Sequence, residues 1–500
     1  MDKLRKTAVW LDDRLHLTAL YASTAGHEVP KTSGSWFYVL GSGTLLCFVI
    51  QVITGICLSF VYVPSTHEAW SSLQYLDHHQ FLGWYMRGVH FWGANFMVGI
   101  MTLHMIQVFL FGAYKYPREL TWISGTFLLF ITLGLSFTGE VMRWDQNAYW
   151  GLGIGVAVMG RVPGIGAGLV HFLLGGPIIA GEALSRFYTL HVFILPGLLI
   201  AIIAMHLRLV LNKGINEVPK VGRPVHKATY DAHYADILRK EGVPFVPYAI
   251  GKDLIFAGIV IIGILGCAYI FGPSGPVGPP DPTVVQANPR PDFYFLAIFA
   301  GLALLPPWME TFAMFGAPLV IFVVMVLLPF YSGTGEKHVR RRPIAVLIVV
   351  FCLMVFGILT YEGATTPWSP HMEAWSSNPT PAKYLVGRTP LEMRGAAVFE
   401  NKQCRDCHSL GGVGGVRGPA LDTVGQRLTR PELVRQVIQG GGNMPAFGKE
   451  LSPAEVDAVV SFMQTLRSKG APPAHNSTVP QNNLLRDVAS NRMPRPPLRQ

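Results

Sequence analysis

Seven stretches of the chain are apolar for long enough to cross a bilayer: about 36–62, 84–111, 121–142, 187–210, 253–272, 314–331 and 343–361. Each reaches the ~17–25 residues a spanning helix needs. The runs 314–331 and 343–361 contain no charged residue at all. A further apolar run, 293–306 (FYFLAIFAGLALLP), is too short to span and is expected to be interfacial or re-entrant. The N-terminal segment MDKLRKTAVWLDDRLHL alternates basic and apolar positions without a long apolar core or a small-residue cleavage site. It is expected to lie on the membrane surface rather than to be a cleaved signal. The pattern predicts an all-α membrane protein of seven transmembrane helices.

Composition agrees. Half of the residues are hydrophobic and 14% are charged, against ~25% charged in soluble domains. The net charge of +10 shows no basic stripe interleaved with aromatics, so it points to topology and not to nucleic acid. With the N-terminus in the cytoplasm, the segments 1–33, 112–120, 211–252 and 332–342 hold 18 Lys and Arg. The opposite loops, 63–83, 143–185 and 273–313, hold only Arg143, Arg161 and Arg290. This asymmetry orients the chain in a cytoplasmic membrane and sends the C-terminus outside.

Candidate chemistry begins with four intramembrane histidines. His90 and His104 are 14 residues apart in the second predicted span, and His191 and His206 are 15 apart in the fourth. Fourteen residues of helix rise about 21 Å and return to nearly the same face. The two spans run in the same direction, so His90 can meet His191 near the outer side and His104 can meet His206 near the inner side. Two imidazole pairs at two depths suit two stacked, non-covalent b haems, each iron taking two axial nitrogens within a four-helix di-haem bundle. One buried histidine could be a satisfied core residue, but four matched in spacing argue against that, because ionisable groups are costly in the membrane. Gly41 and Gly55 in the first span, and Gly125 and Gly139 in the third, share the 14-residue interval and would let flat rings approach the backbone. Arg87 and Arg186 precede the outer histidines, as counter-charges for haem propionates or as interfacial residues.

Cys47, Cys57, Cys267 and Cys352 lie singly in apolar runs and read as small core residues. Cys404, Cys407 and His408 form a CxxCH motif, the signature of covalent c-haem attachment, with His408 as one axial ligand. Met444 in GGNMPAF supplies a soft sixth ligand. A redox CxxC or half a zinc site would lack the adjacent His and the downstream Met. A closing helix is expected from Ser452-Pro453, with Glu455 completing a capping box. Seven spans put Cys404 outside, where such haems are attached.

The expected organisation is an N-terminal surface segment (1–33), a di-haem domain (34–215), a three-helix domain (216–365), a Pro/Ser/Thr-rich linker (366–390), a small α-helical cytochrome c domain (391–470) and a disordered tail (471–500).

Over roughly 30–365 the chain resembles cytochrome b of the cytochrome bc and b–f quinol-oxidising complexes. The glycine and histidine spacings, PREL at 117–120, SRFYTLH at 185–191 and PDFY at 291–294 carry the resemblance. The 15-residue histidine spacing with three later spans is similar to the b–f type. Residues 391–470 resemble small class I c-type cytochromes. The resemblance implies that Pro291, Asp292, Phe293 and Tyr294 form an outer quinol-oxidation pocket, with the carboxylate accepting a quinol proton. Tyr149 and Trp150 would form another wall of the pocket. The family's usual Pro-Glu-Trp-Tyr is altered at Asp292 and Phe293, a change that goes with low-potential quinones such as menaquinone. Val39 stands where the b–f type has a haem-binding cysteine, so no covalently held inner haem is expected. Arg208 and Lys213 are the candidates for an inner quinone site.

The implied function is that of a quinol–cytochrome c reductase subunit. Electrons would bifurcate to a separate Rieske iron–sulfur protein and to the b haems, and protons would be translocated. The implied assembly is a dimeric multi-subunit complex in lipid, with a downstream cytochrome or oxidase. The fused c haem would act at raised effective concentration. The alternatives are a dehydrogenase anchor serving as a linear electron conduit, which needs no bifurcating pocket, and a non-enzymatic scaffold, which would not keep the ligand set.

Overall fold

In a computed structural model, residues 2–175, 179, 181–281, 289–305, 309, 311–365, 380–406, 408–414, 419–440, 444, 447–472 and 474 are described. The expected linker, apart from its end at 380–390, and nearly all of the expected tail lie outside them. The chain forms two compact units, one within 1–281 and 286–370 and the other within 371–500.

In the first unit, seven helices are long and apolar enough to cross a membrane: Leu40–Ser59, Gly83–Leu110, Glu119–Val141, Gly181–Lys213, Phe245–Phe271, Phe312–Tyr331 and Pro343–Thr365. They are numbered below as the first to seventh spanning helices. The first packs on the second and the third on the fourth, and the fifth lies against the first two. Cys47, Phe48, Val89, Met97, Leu199 and Ile264 fill the space between them. The run after PDFY forms a separate short helix, Phe293–Leu304, packed on the seventh. At 12 residues its ~18 Å is too short to span.

The fourth spanning helix contains a π-helical segment, Leu190–Ile194, which carries His191. Pro196 follows it and has no N–H for the α-helical ladder. A π turn accommodates one extra residue. The 15-residue interval on this helix therefore spans the same rise and phase as the 14-residue interval on the second.

The segment 143–185, expected as a loop, holds the helices Gln146–Gly160 and Gly166–Leu174. Asp145 caps the first, its carboxylate accepting from the Ala148 amide at 2.8 Å. Trp144, Leu152, Val156, Leu184 and Phe187 bury the apolar face between these helices and the bundle.

At the opposite end, cations satisfy helix C-termini. Arg118, from PREL, donates to the carbonyls of Gly214 at 2.9 Å and Lys213 at 3.2 Å, where the fourth spanning helix ends. Arg342 donates to the carbonyls of Phe109 and Leu110 at the end of the second. Both use the negative end of the helix dipole and its orphan carbonyls. Lys337 is buried against Glu217 at 2.8 Å. Burial alone would raise the Glu217 carboxyl, but Lys337 and Arg118 hold it below its ordinary value.

The second unit is a small helical domain. Helices Pro390–Asn401, Arg430–Gln439 and Pro453–Gln464 each begin with a capping box: Thr389 with Glu392, Thr429 with Glu432, and Ser452 with Glu455. Phe399, Leu410, Leu433, Val460, Phe462 and Leu466 form its core. Gly395 lets the first of these helices cross the last at backbone contact, since a Cβ there would lie 1.9 Å from the Ala458 carbonyl oxygen. Gly395→Ala is therefore expected to destabilise this unit by about 1–3 kcal/mol through overpacking, despite alanine's better helix propensity. Thermal melting of the full chain, followed at the c-haem absorbance, checks this; an unchanged midpoint would contradict the crossing.

Candidate functional site

The four histidines form two layers, each faced by glycines. His90 and His191 have ring centroids 6.3 Å apart at 69°. A Cβ on Gly55 would lie 3.3 Å from the His90 ring, and one on Gly139 only 2.7 Å from the His191 ring. In the second layer, a Cβ on Gly41 would meet His104 at 3.4 Å and one on Gly125 would meet His206 at 3.5 Å. Each imidazole thus rests on a glycine backbone, and in the first layer a Cβ would crowd the ring. His90, His191, Gly55 and Gly139 line a cavity of about 290 Å³. His104, His206, Gly41 and Gly125 line one of about 410 Å³. Phe48, Met97 and Thr132 line both.

Three histidines have their Nδ1 occupied by a hydroxyl. Nδ1 of His90 is 2.8 Å from Thr54 Oγ1, Nδ1 of His191 is 3.0 Å from Thr138 Oγ1, and Nδ1 of His206 is 2.9 Å from Ser124 Oγ. Each hydroxyl has already given its proton to its own helix: Thr54 to the Ile50 carbonyl, Thr138 to Gly134, and Ser124 to Thr121. The hydroxyls must then accept, so Nδ1 carries the proton and Nε2 keeps a free lone pair. That tautomer, the apolar walls and the glycine faces fit a bis-histidine haem in each layer. Sequence reasoning missed these hydroxyls, although each stands immediately before one of the paired glycines.

The first cavity also contains Asp292 and Tyr294. Asp292 is the residue preceding the short helix, yet its side chain makes no capping bond; its carboxylate instead accepts from the Tyr294 hydroxyl at 2.8 Å. This carboxylate therefore does not cap the short helix. Glu140 and Arg143 line the same cavity and pair at 3.4 Å. Neither was singled out in the sequence, although Glu140 directly follows Gly139.

The other candidates are placed differently. Pro291 and Phe293 are not among the residues lining this cavity, and Phe293 is exposed. Tyr149 and Trp150 sit on the helix Gln146–Gly160, stacked edge-on at 5.4 Å, and are not among the lining residues either. Arg87 lines the cavity but is bound by Asp77 at 2.8 and 2.5 Å and by the Ser274 carbonyl at 3.0 Å. Arg186 is exposed beside Phe172 and donates to the His171 carbonyl at 3.4 Å. Arg208 and Lys213 are exposed and do not line the second cavity. Their helix turns them away, and Tyr38, Arg118, Asn216 and Asp253 supply the polar lining instead.

In the second unit, Cys404 opens a short 3-10 turn; Cys407 lies outside the described residues. His408 Nδ1 donates to the Pro419 carbonyl at 2.7 Å, leaving Nε2 free as a ligand. Burial pushes this imidazole below its ordinary range, opposed by the same carbonyl. Met444 packs against the core, and Gln436 Nε2 approaches its sulfur at 3.6 Å. His408 and Met444 fit a covalently held c haem with mixed ligation.

A family model described as "Cytochrome b/b6/petB" matches residues 26–214, and one described as "Cytochrome C oxidase, cbb3-type, subunit III" matches 390–463. The chain is 31% identical over 390 residues to "Cytochrome b" of Rhodobacter capsulatus, covering 72% of this chain and 85% of that one. It is 37% identical over 220 residues to the "Menaquinol:cytochrome c reductase cytochrome b subunit" of Geobacillus thermodenitrificans, covering 43% and 98%. A chain of the solved "Hyperthermophilic respiratory Complex III" superposes with a TM-score of 0.60 at 26% identity, covering 72% and 91%.

Gly139→Val is expected to abolish haem binding in the His90–His191 layer and spare the other, because a Cβ there would lie 2.7 Å from the His191 ring and force it out of its position. Pyridine haemochrome and low-temperature spectra should show one b component lost; two retained b components would refute the glycine's role.

Proposed function

The chain belongs to the cytochrome b family, and from that premise we propose that it is the cytochrome b/c subunit of a quinol:cytochrome c oxidoreductase in a bacterial cytoplasmic membrane. Quinol is oxidised at the outer side, in the cavity of Asp292 and Tyr294. Its two electrons go separately to a Rieske iron–sulfur partner and to two b haems held by His90 with His191 and His104 with His206. The fused c unit, holding haem through Cys404, Cys407, His408 and Met444, receives the electron that leaves through the Rieske partner. Protons released outside and taken up inside charge the membrane. The subunit works within a dimeric multi-subunit complex.

The observation that carries this is the shared cavity: the Asp292 carboxylate and the His90–His191 layer line one space. A simple electron wire needs no carboxylate beside its ligands. Each haem, when bound, supplies a one-electron carrier at its own depth. The residues do the rest. Asp292, free of capping duty and hydrogen-bonded by Tyr294, accepts a proton as the quinol is oxidised. Tyr294 orients the carboxylate, and Glu140 beside Arg143 offers a second carboxylate in the same cavity. The apolar walls exclude water from the oxidising site. The inner-side cavity, with Asp253, Asn216 and Tyr38, takes quinone for reduction. The altered Asp292-Phe293 pair and the menaquinol-oxidising relative both favour a low-potential quinol.

Asp292→Asn should lower quinol:cytochrome c reductase turnover by about 10²-fold or more, the usual worth of a general base, with all haem spectra intact. Anaerobic reduction of the purified complex by menaquinol, with and without its iron–sulfur subunit, tests the bifurcation. The c haem should reduce only when that subunit is present. Equal c-haem reduction without it would make the chain a linear conduit.

A further inference from the structure

The two histidine layers are not equivalent. In the first, both imidazoles donate Nδ1–H to a hydroxyl, Thr54 and Thr138. In the second, His206 donates to Ser124, whereas Nδ1 of His104 is buried with no hydrogen-bond partner among the described residues. The cause lies in the sequence. Thr54, Ser124 and Thr138 each precede a glycine that faces an imidazole; the residue preceding Gly41 is Leu40. Three of the four glycines thus bring a hydroxyl to the ring they face, and the fourth is preceded by a leucine, which has none to offer.

We propose that Thr54, Thr138 and Ser124 are positioning residues, each lowering the reduction potential of the b haem whose histidine it holds. A hydrogen bond from Nδ1–H raises the basicity of the ligating Nε2. A more basic ligand donates more charge to iron and stabilises its ferric state, which lowers the potential. The outer layer has two such bonds and the inner layer one, so the outer potential is pushed lower. The hydroxyls also hold each ring in one tautomer, so a haem entering its cavity meets a preset nitrogen.

The inference rests on the bis-histidine assignment above, and the test separates the two. Redox titrations of the b haems in the intact complex, with low-spin EPR g-values, are compared for Thr54→Val, Thr138→Val and Ser124→Ala, after haem content has been counted by pyridine haemochrome. Thr54→Val and Thr138→Val should each shift the outer haem to higher potential and leave the inner one in place. Ser124→Ala should shift only the inner haem upward. Thr54→Ser, which keeps the hydroxyl, should return the original potential and g-values. If a valine variant loses its haem, Thr54→Ala and Thr138→Ala remove the hydroxyl without adding a methyl and carry the same comparison. Full haem content with unmoved potentials would overturn the inference while leaving the ligand assignment intact. Two b haems retained when His90 or His206 is changed to Ala would overturn the assignment itself.

Discussion

The bundle turns on the approach of four imidazoles to four stretches of bare helix backbone. An imidazole inside a membrane must find a hydrogen-bond partner, a ligand or both, because unsatisfied polar groups are costly there. Here each ring lies against a glycine of the neighbouring helix, with a notional Cβ as close as 2.7 Å. The first spanning helix can then pack on the second, and the third on the fourth, with rings between them rather than side chains. The cavities at two depths follow from that packing, since both are bounded by the same histidines and glycines.

That arrangement constrains the backbone as well. Four rings in two layers require equal rise between the ligands of two helices, yet the intervals are 14 and 15 residues. The π turn at Leu190–Ile194 absorbs the difference where the ligand stands. Without it His191 would be turned by about 100° relative to its partner. The hydroxyl preceding three of the four glycines completes the design: it is satisfied by its own helix and still able to accept from the ring.

Charge at the helix ends serves the same scaffold. Arg118 and Arg342 bind the carbonyls that end the fourth and second spanning helices, the two that carry histidines. Some of the positive bias in these loops is therefore internal wiring and not only a topological signal. Asp292 shows the converse. It stands where a cap would be expected, but its carboxylate is turned to Tyr294 in the cavity.

Much of this was legible in the chain. Seven apolar runs, four histidines at matched spacing, the glycine intervals, CxxCH with its methionine and the capping box at Ser452 are local or periodic features. Hydrophobicity and helix geometry act on them over short distances, so the sequence determines them directly. What the tertiary structure decided concerns pairing and direction. Arg208 and Lys213 lie near the right depth in the sequence, yet point out of the cavity that Asp253 and Asn216 enter. Arg87 stands beside a ligand, yet its guanidinium is bound to Asp77. Tyr149 and Trp150 belong to a helix packed against the bundle rather than to the cavity wall. A side chain's partner depends on how far each helix is rotated about its axis and on which loop folds back over it. Those are set by the packing of residues far apart in the chain, and no single segment carries that information.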